Sequence, residues 1–218
     1  MLSRSQVEKT VSCFDDLPSI VMLDFETTGM SPEQGARITE VAAMRIQDGK
    51  IVDRFVSLIN CNVLIPSFIT QLTGITQTMV NRAPPVAQVI PELLDFIGDD
   101  FLAAHNASFD EKFLLAEARL LGLQSRHQTA ICSVKLSRRV LPGLSSYALG
   151  KIASQLGLRF KGQAHRAEAD AEVAANLLLH IESHLKQQYS FAQIHPSLFA
   201  SINRLSAAKV PAYLRSIQ

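Results

Sequence analysis

The spacing of apolar residues changes near residue 66 from a strand-like to a helix-like period. Residues 20–23 form a continuous apolar run of strand length, typical of a strand buried on both faces. Residues 38–46 alternate apolar with polar or small side chains, and residues 51–59 form another run rich in strand-forming types. Asp48 and Gly49 separate these two runs, so the pattern predicts an antiparallel hairpin with a tight turn.

Helical spacing dominates after residue 66, with two short interruptions. Ser108 is the predicted N-cap of one helix, because a hydroxyl there accepts a hydrogen bond from the first turn. Strands that come first, with helices interleaved later, predict an α/β domain whose mixed sheet of about five strands is flanked by helices. The predicted helices end before Gly74 and then cover 86–97, Ser108 to before Gly122, 135–140, 146–156 and 168–186, with strands over 101–104 and 130–134.

Three segments are expected along the chain. Residues 1–18 place apolar residues on one helical face and are predicted to form an N-terminal helical extension. Residues 19–186 form the predicted main domain. The composition then changes, and residues 187–218 are predicted to be a C-terminal helical tail with one helix over 196–205 and a break at Pro211.

Composition describes an ordinary globular chain of 218 residues, with 47% hydrophobic and 19% charged side chains. A chain of this length buries roughly 70–75% of its unfolded surface and needs neither disulfides nor a structural metal to hold a core. Lysine and arginine total 21 against 20 acidic residues, so net charge by itself attracts neither nucleic acid nor a membrane. Any basic surface must therefore be local.

The cysteine pattern and the hydropathy of the chain indicate in which cellular compartment the protein is expected. The three cysteines form no CxxC pair, which favours a reducing environment over a disulfide framework. The first ten residues lack the apolar core of a signal peptide, and the uncharged run over 55–81 is interrupted by polar side chains that lipid would leave unsatisfied. The sequence predicts a soluble cytoplasmic protein without a membrane segment.

Two carboxylates follow the first apolar run. Asp24 and Glu26 are two apart on the predicted strand, so they project to one face while Phe25 turns away. Two acids at the end of a buried strand repel each other, and a divalent cation with oxygen ligands is a natural compensation. The alternative is that both acids lie in solvent at the strand end.

A second polar group, His105 to Asp110, joins a short predicted strand to a helix. Asp110 falls in the first helical turn, where the helix dipole favours a carboxylate whether or not it binds a ligand. Asn106 is a residue type common in loops.

A third group, His165 to Asp170, opens the longest predicted helix. Five residues of continuous helix would turn His165 about 140° from Asp170, so both face one site only if His165 precedes the helix. Glu168 is explained as a first-turn acid.

These three motifs, in this order, resemble the DEDDh exonuclease family, named after four acids and a histidine. The resemblance covers residues 19–185 and implies a ribonuclease H-like fold. It implies removal of nucleotides from the 3′ end of a nucleic acid, with two Mg²⁺ or Mn²⁺ ions held by Asp24, Glu26, Asp110 and Asp170. His165 matches the family's general base, and an imidazole titrates near neutrality as that role requires.

The resemblance also implies contacts with the terminal nucleotide. Thr27 would offer backbone contacts, Leu72 would wedge against the terminal bases, and Asn106 and Phe109 would line the pocket. Leu72 and Phe109 have core packing as their alternative.

Residues 126–166 contain eight lysines and arginines and no acidic residue. Such an asymmetry is expected of a surface that follows a phosphate backbone, although scattered solvated charges explain about half of these cations.

The sequence leaves the substrate and the partner open. DNA, as a single strand or a frayed 3′ end, is the leading substrate, and RNA is the alternative because no residue identifies a contact to the 2′-hydroxyl. A further alternative is a subunit that edits within a DNA polymerase. Residues 195–199, with Leu198 and Phe199, faintly resemble a peptide that docks on sliding clamps, but an amphipathic helix packed on the domain explains them equally.

Overall fold

A five-stranded mixed sheet forms the centre of the computed structural model, which describes residues 17–160, 162 and 164–218. The strand order is β3-β2-β1-β4-β5; β1 and β2 are antiparallel, as are β2 and β3, whereas β4 runs parallel to β1 and β5 parallel to β4. This confirms the predicted mixed sheet and its hairpin. The strands are β1 (Ile20–Thr27), β2 (Ile38–Gln47), β3 (Lys50–Leu58), β4 (Phe101–Ala104) and β5 (Gln128–Cys132).

Helices cover both faces of the sheet, as predicted. The described helices are α1 (Ser67–Thr73), α2 (Gln77–Asn81), α3 (Val86–Ile97), α4 (Ala107–Leu120), α5 (Ser133–Val140), α6 (Leu149–Gln155), α7 (Ala167–Tyr189), α8 (Ser197–Arg204) and α9 (Val210–Ser216). The helix predicted over 1–18 lies almost entirely outside the described residues.

Three local predictions differ from the structure. The N-cap of α4 is Asn106 and not Ser108, since Asn106 takes the left-handed conformation (φ 81°) that asparagine tolerates. Pro211 does not break the tail but lies in the first turn of α9, where its missing N–H needs no partner. The five-residue α2 was not predicted; the Thr76 side chain caps it by accepting from the Met79 amide at 3.3 Å.

The two faces of the sheet bury separate cores. Met22 and Met44 face the side covered by α7, where Leu177 belongs to the same cluster. Leu23, one residue along β1, faces the opposite core, which contains Phe113 of α4. Since Asp24 and Glu26 share the parity of Met22, the strand directs both acids toward α7.

The C-terminal helices pack against the β5 side of the same core. Phe199 of α8 is 1% exposed, and Leu198 packs partly buried beside it. Asn203 holds the edge of β5: its Oδ1 accepts from the Cys132 amide at 2.6 Å, and its Nδ2 donates to the Cys132 carbonyl at 3.3 Å. These contacts support the packed amphipathic helix over the exposed clamp-binding peptide.

In the part of the chain that the structure describes, no helix combines the length and the apolar character needed to cross a bilayer.

Phe199→Ala is expected to lower the free energy of unfolding by about 3–5 kcal/mol, because it opens a cavity in a well-packed core. Phe68→Ala, which removes a ring that is 62% exposed on α1, is the control and is expected to change stability by about 0.5 kcal/mol or less. Urea denaturation of both variants measures the difference. Equal free energies of unfolding for the two variants would show that the Phe199 side chain does not stabilise the folded domain.

Candidate active site

The end of β1 that carries Asp24 and Glu26 lies where this strand stops pairing with β4. Pairing between β1 and β4 ends at Leu23 and Ala104, while pairing with β2 continues to Thr27. The chain leaves β4 there and turns into α4, so a crevice opens beside Asp24 and Glu26. Both carboxylates are partly buried, and the intervening Phe25 is buried in the other core.

Asp110 enters the crevice from the first turn of α4. Its side chain is buried, and its Oδ1 accepts a hydrogen bond from the Phe25 amide at 3.2 Å. This bond ties α4 to β1 between the two acids of the strand. The helix dipole and the strand amide together explain why a carboxylate is tolerated at this depth.

Asp170 and His165 come from the start of α7. The helix begins at Ala167, so His165 lies outside it, as joint access to one site requires. His165 has a left-handed backbone (φ 61°), and its amide donates to Oδ2 of Asp170 at 2.8 Å. That bond closes the turn and keeps the exposed imidazole next to the acid.

One cleft of about 370 Å³ contains the whole predicted set of acids and the histidine. Ligand oxygens of Asp24, Glu26 and Asp170 all lie within 4.8 Å of one another. Asp110 lines the same cleft beside this trio. The remaining lining residues are Phe25, His105, Phe109, Ala148, Leu149, Gly150, Phe160, Ala164 and His165.

Burial raises the pKa of every acid in the cleft, and repulsion from neighbouring cleft acids adds to this at Asp24 and Glu26. For Asp24, burial is the main cause of a pKa well above the usual range, followed by the charges of Asp110 and Asp170. Burial and then Asp170 raise the pKa of Glu26 to about 8. Burial raises the pKa of Asp110 to about 7 against the hydrogen bond from Phe25, and it raises the pKa of Asp170 against the hydrogen bond from His165. The protein therefore compensates anionic charge at these positions only in part.

These residues fit a divalent cation. Carboxylate oxygens are the ligands that Mg²⁺ and Mn²⁺ prefer, and the three oxygens within 4.8 Å come from two different elements. A cation placed among them would remove the repulsion that raises their pKa values.

The predicted substrate contacts are distributed unevenly. Phe109 lines the cleft and packs against Phe113 with ring centroids 5.0 Å apart. Thr27 is buried at the end of β1, and Asn106 is exposed at the start of α4. Leu72 is 48% exposed on α1. Of these four residues, the described cleft lining includes Phe109 alone.

Sequence reasoning missed His105 and Phe160 as cleft residues. The two nitrogens of His105 are engaged by Ser133 Oγ at 2.8 Å and the Tyr147 carbonyl at 3.0 Å. Burial lowers the pKa of His105. Through its hydrogen bond to Tyr147, the ring ties the loop before α6 to the end of β4. Phe160 carried no sequence signal, since a single aromatic in a loop has no periodicity to place it.

Glu40 of β2 was also missed, although a charged residue inside an apolar strand was a usable signal. It is 3% exposed and bound to Arg166, just ahead of α7.

The predicted basic stretch over 126–166 is partly engaged in structural contacts. Arg166 pairs with Glu40, Arg126 pairs with the exposed Asp99, and Arg139 donates to two backbone carbonyls. Lys161 lies outside the described residues. The exposed remainder consists of Lys135, Arg138, Lys151 and Arg159.

Comparison with known proteins places this geometry in a family. A family model described as "Exonuclease" matches residues 21–178. "3'-5' exonuclease DinG" of Bacillus subtilis is 36% identical over 208 residues, covering 89% of this chain and 22% of the length of that protein. "DNA polymerase III subunit epsilon" of Aquifex aeolicus is 32% identical over 191 residues, covering 88% of this chain and 91% of that subunit.

Solved structures agree with the fold. A structure of Exonuclease X in complex with 5′ overhanging duplex DNA superposes with a TM-score of 0.66 at 27% identity, covering 84% of this chain and 99% of that one. The predicted ribonuclease H-like fold and the predicted relationship to the DEDDh exonucleases are confirmed. The chain belongs to the exonuclease family that its three acidic motifs indicated.

Proposed function

We propose that this chain hydrolyses nucleotides from the 3′ end of DNA, acting on single strands or frayed ends with the help of divalent cations. The observation that carries the proposal is the cluster of three carboxylates within 4.8 Å, set beside the exposed His165 in one cleft. Gathering three partly buried carboxylates is unfavourable unless a cation compensates their charge.

Asp24, Glu26, Asp110 and Asp170 would hold two Mg²⁺ or Mn²⁺ ions. When bound, such ions supply Lewis acidity and neutralise charge at the reacting phosphate. The raised pKa values of the four acids support this assignment, because each reflects a carboxylate that would gain from a nearby cation.

His165 is assigned as the general base. Its imidazole would take a proton from the attacking water while the water oxygen bonds to phosphorus and the bond to the 3′ oxygen of the preceding nucleotide breaks. The hydrogen bond from its backbone amide to Asp170 fixes the backbone of His165 without involving the imidazole ring. Since the side chain is exposed, it is available to an incoming substrate.

The proposed substrate contacts differ in how much structural support they have. Phe109 lines the cleft and is placed to pack against the terminal nucleotide. Leu72 and Phe68 lie four residues apart on α1 and are both largely exposed, which supports a wedge against the terminal bases. Thr27 and Asn106 stay proposed contacts through backbone and amide groups.

DNA is proposed over RNA because DNA is the ligand in the superposed Exonuclease X structure. RNA is the alternative substrate.

A contact with a DNA polymerase is suggested by the name of the Aquifex relative alone. Docking of Leu198 and Phe199 on a sliding clamp would require Phe199 to leave the core. The buried free thiols of Cys61 and Cys132 support the proposed cytoplasmic location.

Asp24→Asn is expected to lower the rate of nucleotide release by more than about a hundredfold, since even outer partners of metal ligands cost 10–100-fold. The measurement is a gel assay in Mg²⁺ with a 5′-labelled single strand, a duplex with a mismatched 3′ end, and an RNA of the same sequence. Asp53→Asn, on the exposed face of β3, is the control and should keep the wild-type rate. Activity of Asp24→Asn, or of the wild type in EDTA, would contradict the metal mechanism, and faster loss of RNA would reverse the proposed substrate.

His165→Ala is expected to lower kcat by about 10²–10⁴-fold, the usual contribution of a general base. Oligonucleotide binding, measured by fluorescence anisotropy in Ca²⁺, should hardly change. His195→Ala removes an exposed imidazole from the tail and is the control. Equal losses in turnover and binding would identify His165 as a binding residue instead.

Glu26→Gln is expected to flatten the pH dependence of stability in the metal-free protein. Because the pKa of Glu26 is raised to about 8 from 4.5, its stabilising contribution is full below pH 4.5 and is lost as the pH rises through 8. Urea denaturation in EDTA at pH 5.5 and 8.5 should show the wild type losing stability with pH and the variant losing less. Glu92→Gln, an exposed glutamate on α3, should behave as the wild type. A wild-type stability that rises over this range would refute the electrostatic account.

A further inference from the structure

A fifth carboxylate, that of Glu40, lies beside the acidic cluster. In the β1–β2 pairing Glu40 is directly opposite Glu26, and residues opposite each other on paired strands project to the same face. Like charges in this arrangement repel, and the charge of Glu40 contributes to the raised pKa of Glu26. The side chain of Glu40 is 3% exposed, so water does not compensate it.

Protein groups occupy both oxygens of Glu40. Arg166 donates through Nε at 3.2 Å to Oε1 and 3.0 Å to Oε2, and through Nη2 at 2.5 Å to Oε1. The amide of Ala167 donates to Oε2 at 3.0 Å. This planar, charge-assisted fork has little orientational freedom. Glu40 thus differs from the acids of the cluster, which form no ion pair with an arginine among the described residues, although the charge of Arg166 lowers the pKa of Glu26.

The contacts of Glu40 fall on the first residue of α7 and on its N-cap. Arg166 makes no side-chain capping bond of its own, so the carboxylate from β2 supplies the acceptor and the negative charge that a helix N-terminus favours. Immediately before it, His165 takes a left-handed backbone and donates its amide to Asp170. The placement of His165, just ahead of α7, and of Asp170 within it therefore depends on where β2 holds Arg166 and Ala167.

We infer that Glu40 is a positioning residue of the active site: with Arg166 it anchors the start of α7 to β2 and thereby sets the positions of His165 and Asp170, without itself binding metal. The inference rests on the proposed function for its effect on turnover. Its structural part, the anchoring of the α7 start, holds independently of the reaction.

The chain offers a closely matched control. Arg37 and Glu117 form a second forked pair, at 2.7 and 2.8 Å, and the Glu117 side chain is also 3% exposed. That pair joins the β1–β2 loop to the last turn of α4, and not to α7. Glu40→Gln and Glu117→Gln each remove one buried charge from an equivalent pair. General destabilisation therefore affects both variants alike.

The experiment measures kcat and KM on a single-stranded oligonucleotide, and amide hydrogen exchange over residues 164–172, for both variants. Glu40→Gln is expected to lower kcat by about 10–100-fold, as outer partners of catalytic groups do, with KM nearly unchanged. Exchange of the Ala167 amide should accelerate by about tenfold or more, since a bond to a charged acceptor is lost. Glu117→Gln should leave kcat and the exchange of residues 164–172 as in the wild type.

Arg166→Lys provides a second test if Glu40→Gln folds poorly, because it keeps the charge and loses the fork. It should lower kcat in the same direction and accelerate exchange at the α7 start. Equal falls of kcat in the Glu40 and Glu117 variants, or unchanged exchange at Ala167, would overturn the inference. A wild-type protein without nuclease activity would refute the proposed function, while the exchange measurement would still decide whether Glu40 anchors α7.

Discussion

Repulsion among carboxylates gathered in a poorly solvated cleft is the constraint on which the site depends. Asp24 and Glu26 come from one strand, Asp110 from α4 and Asp170 from α7, and burial raises the pKa of each. Charges this close interact strongly where water is partly excluded. The fold must therefore hold these elements together by contacts elsewhere, and the two apolar cores on either side of β1 supply them.

The protein treats its acids in two different ways. Glu40 receives a fixed guanidinium and a backbone amide, and Glu117 receives the guanidinium of Arg37. Backbone amides instead donate to acids of the cleft, from Phe25 to Asp110 and from His165 to Asp170. An arginine placed in the cleft would neutralise the cluster and fill the space that cations and a phosphate need. Under the proposed function, the charge that the protein leaves on these acids is the charge that divalent cations would neutralise.

Much of this arrangement follows from the sequence because it depends on local periods. The two-residue spacing of Asp24 and Glu26 fixes their common face, and the angular argument about His165 requires it to precede α7, where it lies. The hairpin around Asp48 follows from the turn residues. The mixed sheet follows from the order of strands and helices.

The features that sequence reasoning missed depend on pairing between distant segments. Glu40 becomes part of the site only through the register that sets it against Glu26, and that register shifts at the end of β1, between Glu26 and Thr27. Asn106 replaces Ser108 as the N-cap of α4 because its left-handed backbone is compatible with the turn that brings Asp110 to the Phe25 amide. Neither the strand register nor the left-handed backbone of Asn106 can be deduced from the local spacing of apolar residues.

Stability and activity oppose each other at the acidic cleft but not at the Glu40–Arg166 pair. Neutralising Asp24 or Glu26 relieves repulsion in the metal-free protein, although both acids would be needed to hold cations. Removing Glu40 leaves a half-buried arginine fork and a helix amide without their acceptor, which is expected to harm the fold and the placement of His165 together. One carboxylate, that of Glu40, thus stabilises the start of α7, while the acids at the centre of the cleft stay electrostatically unfavourable in the metal-free protein.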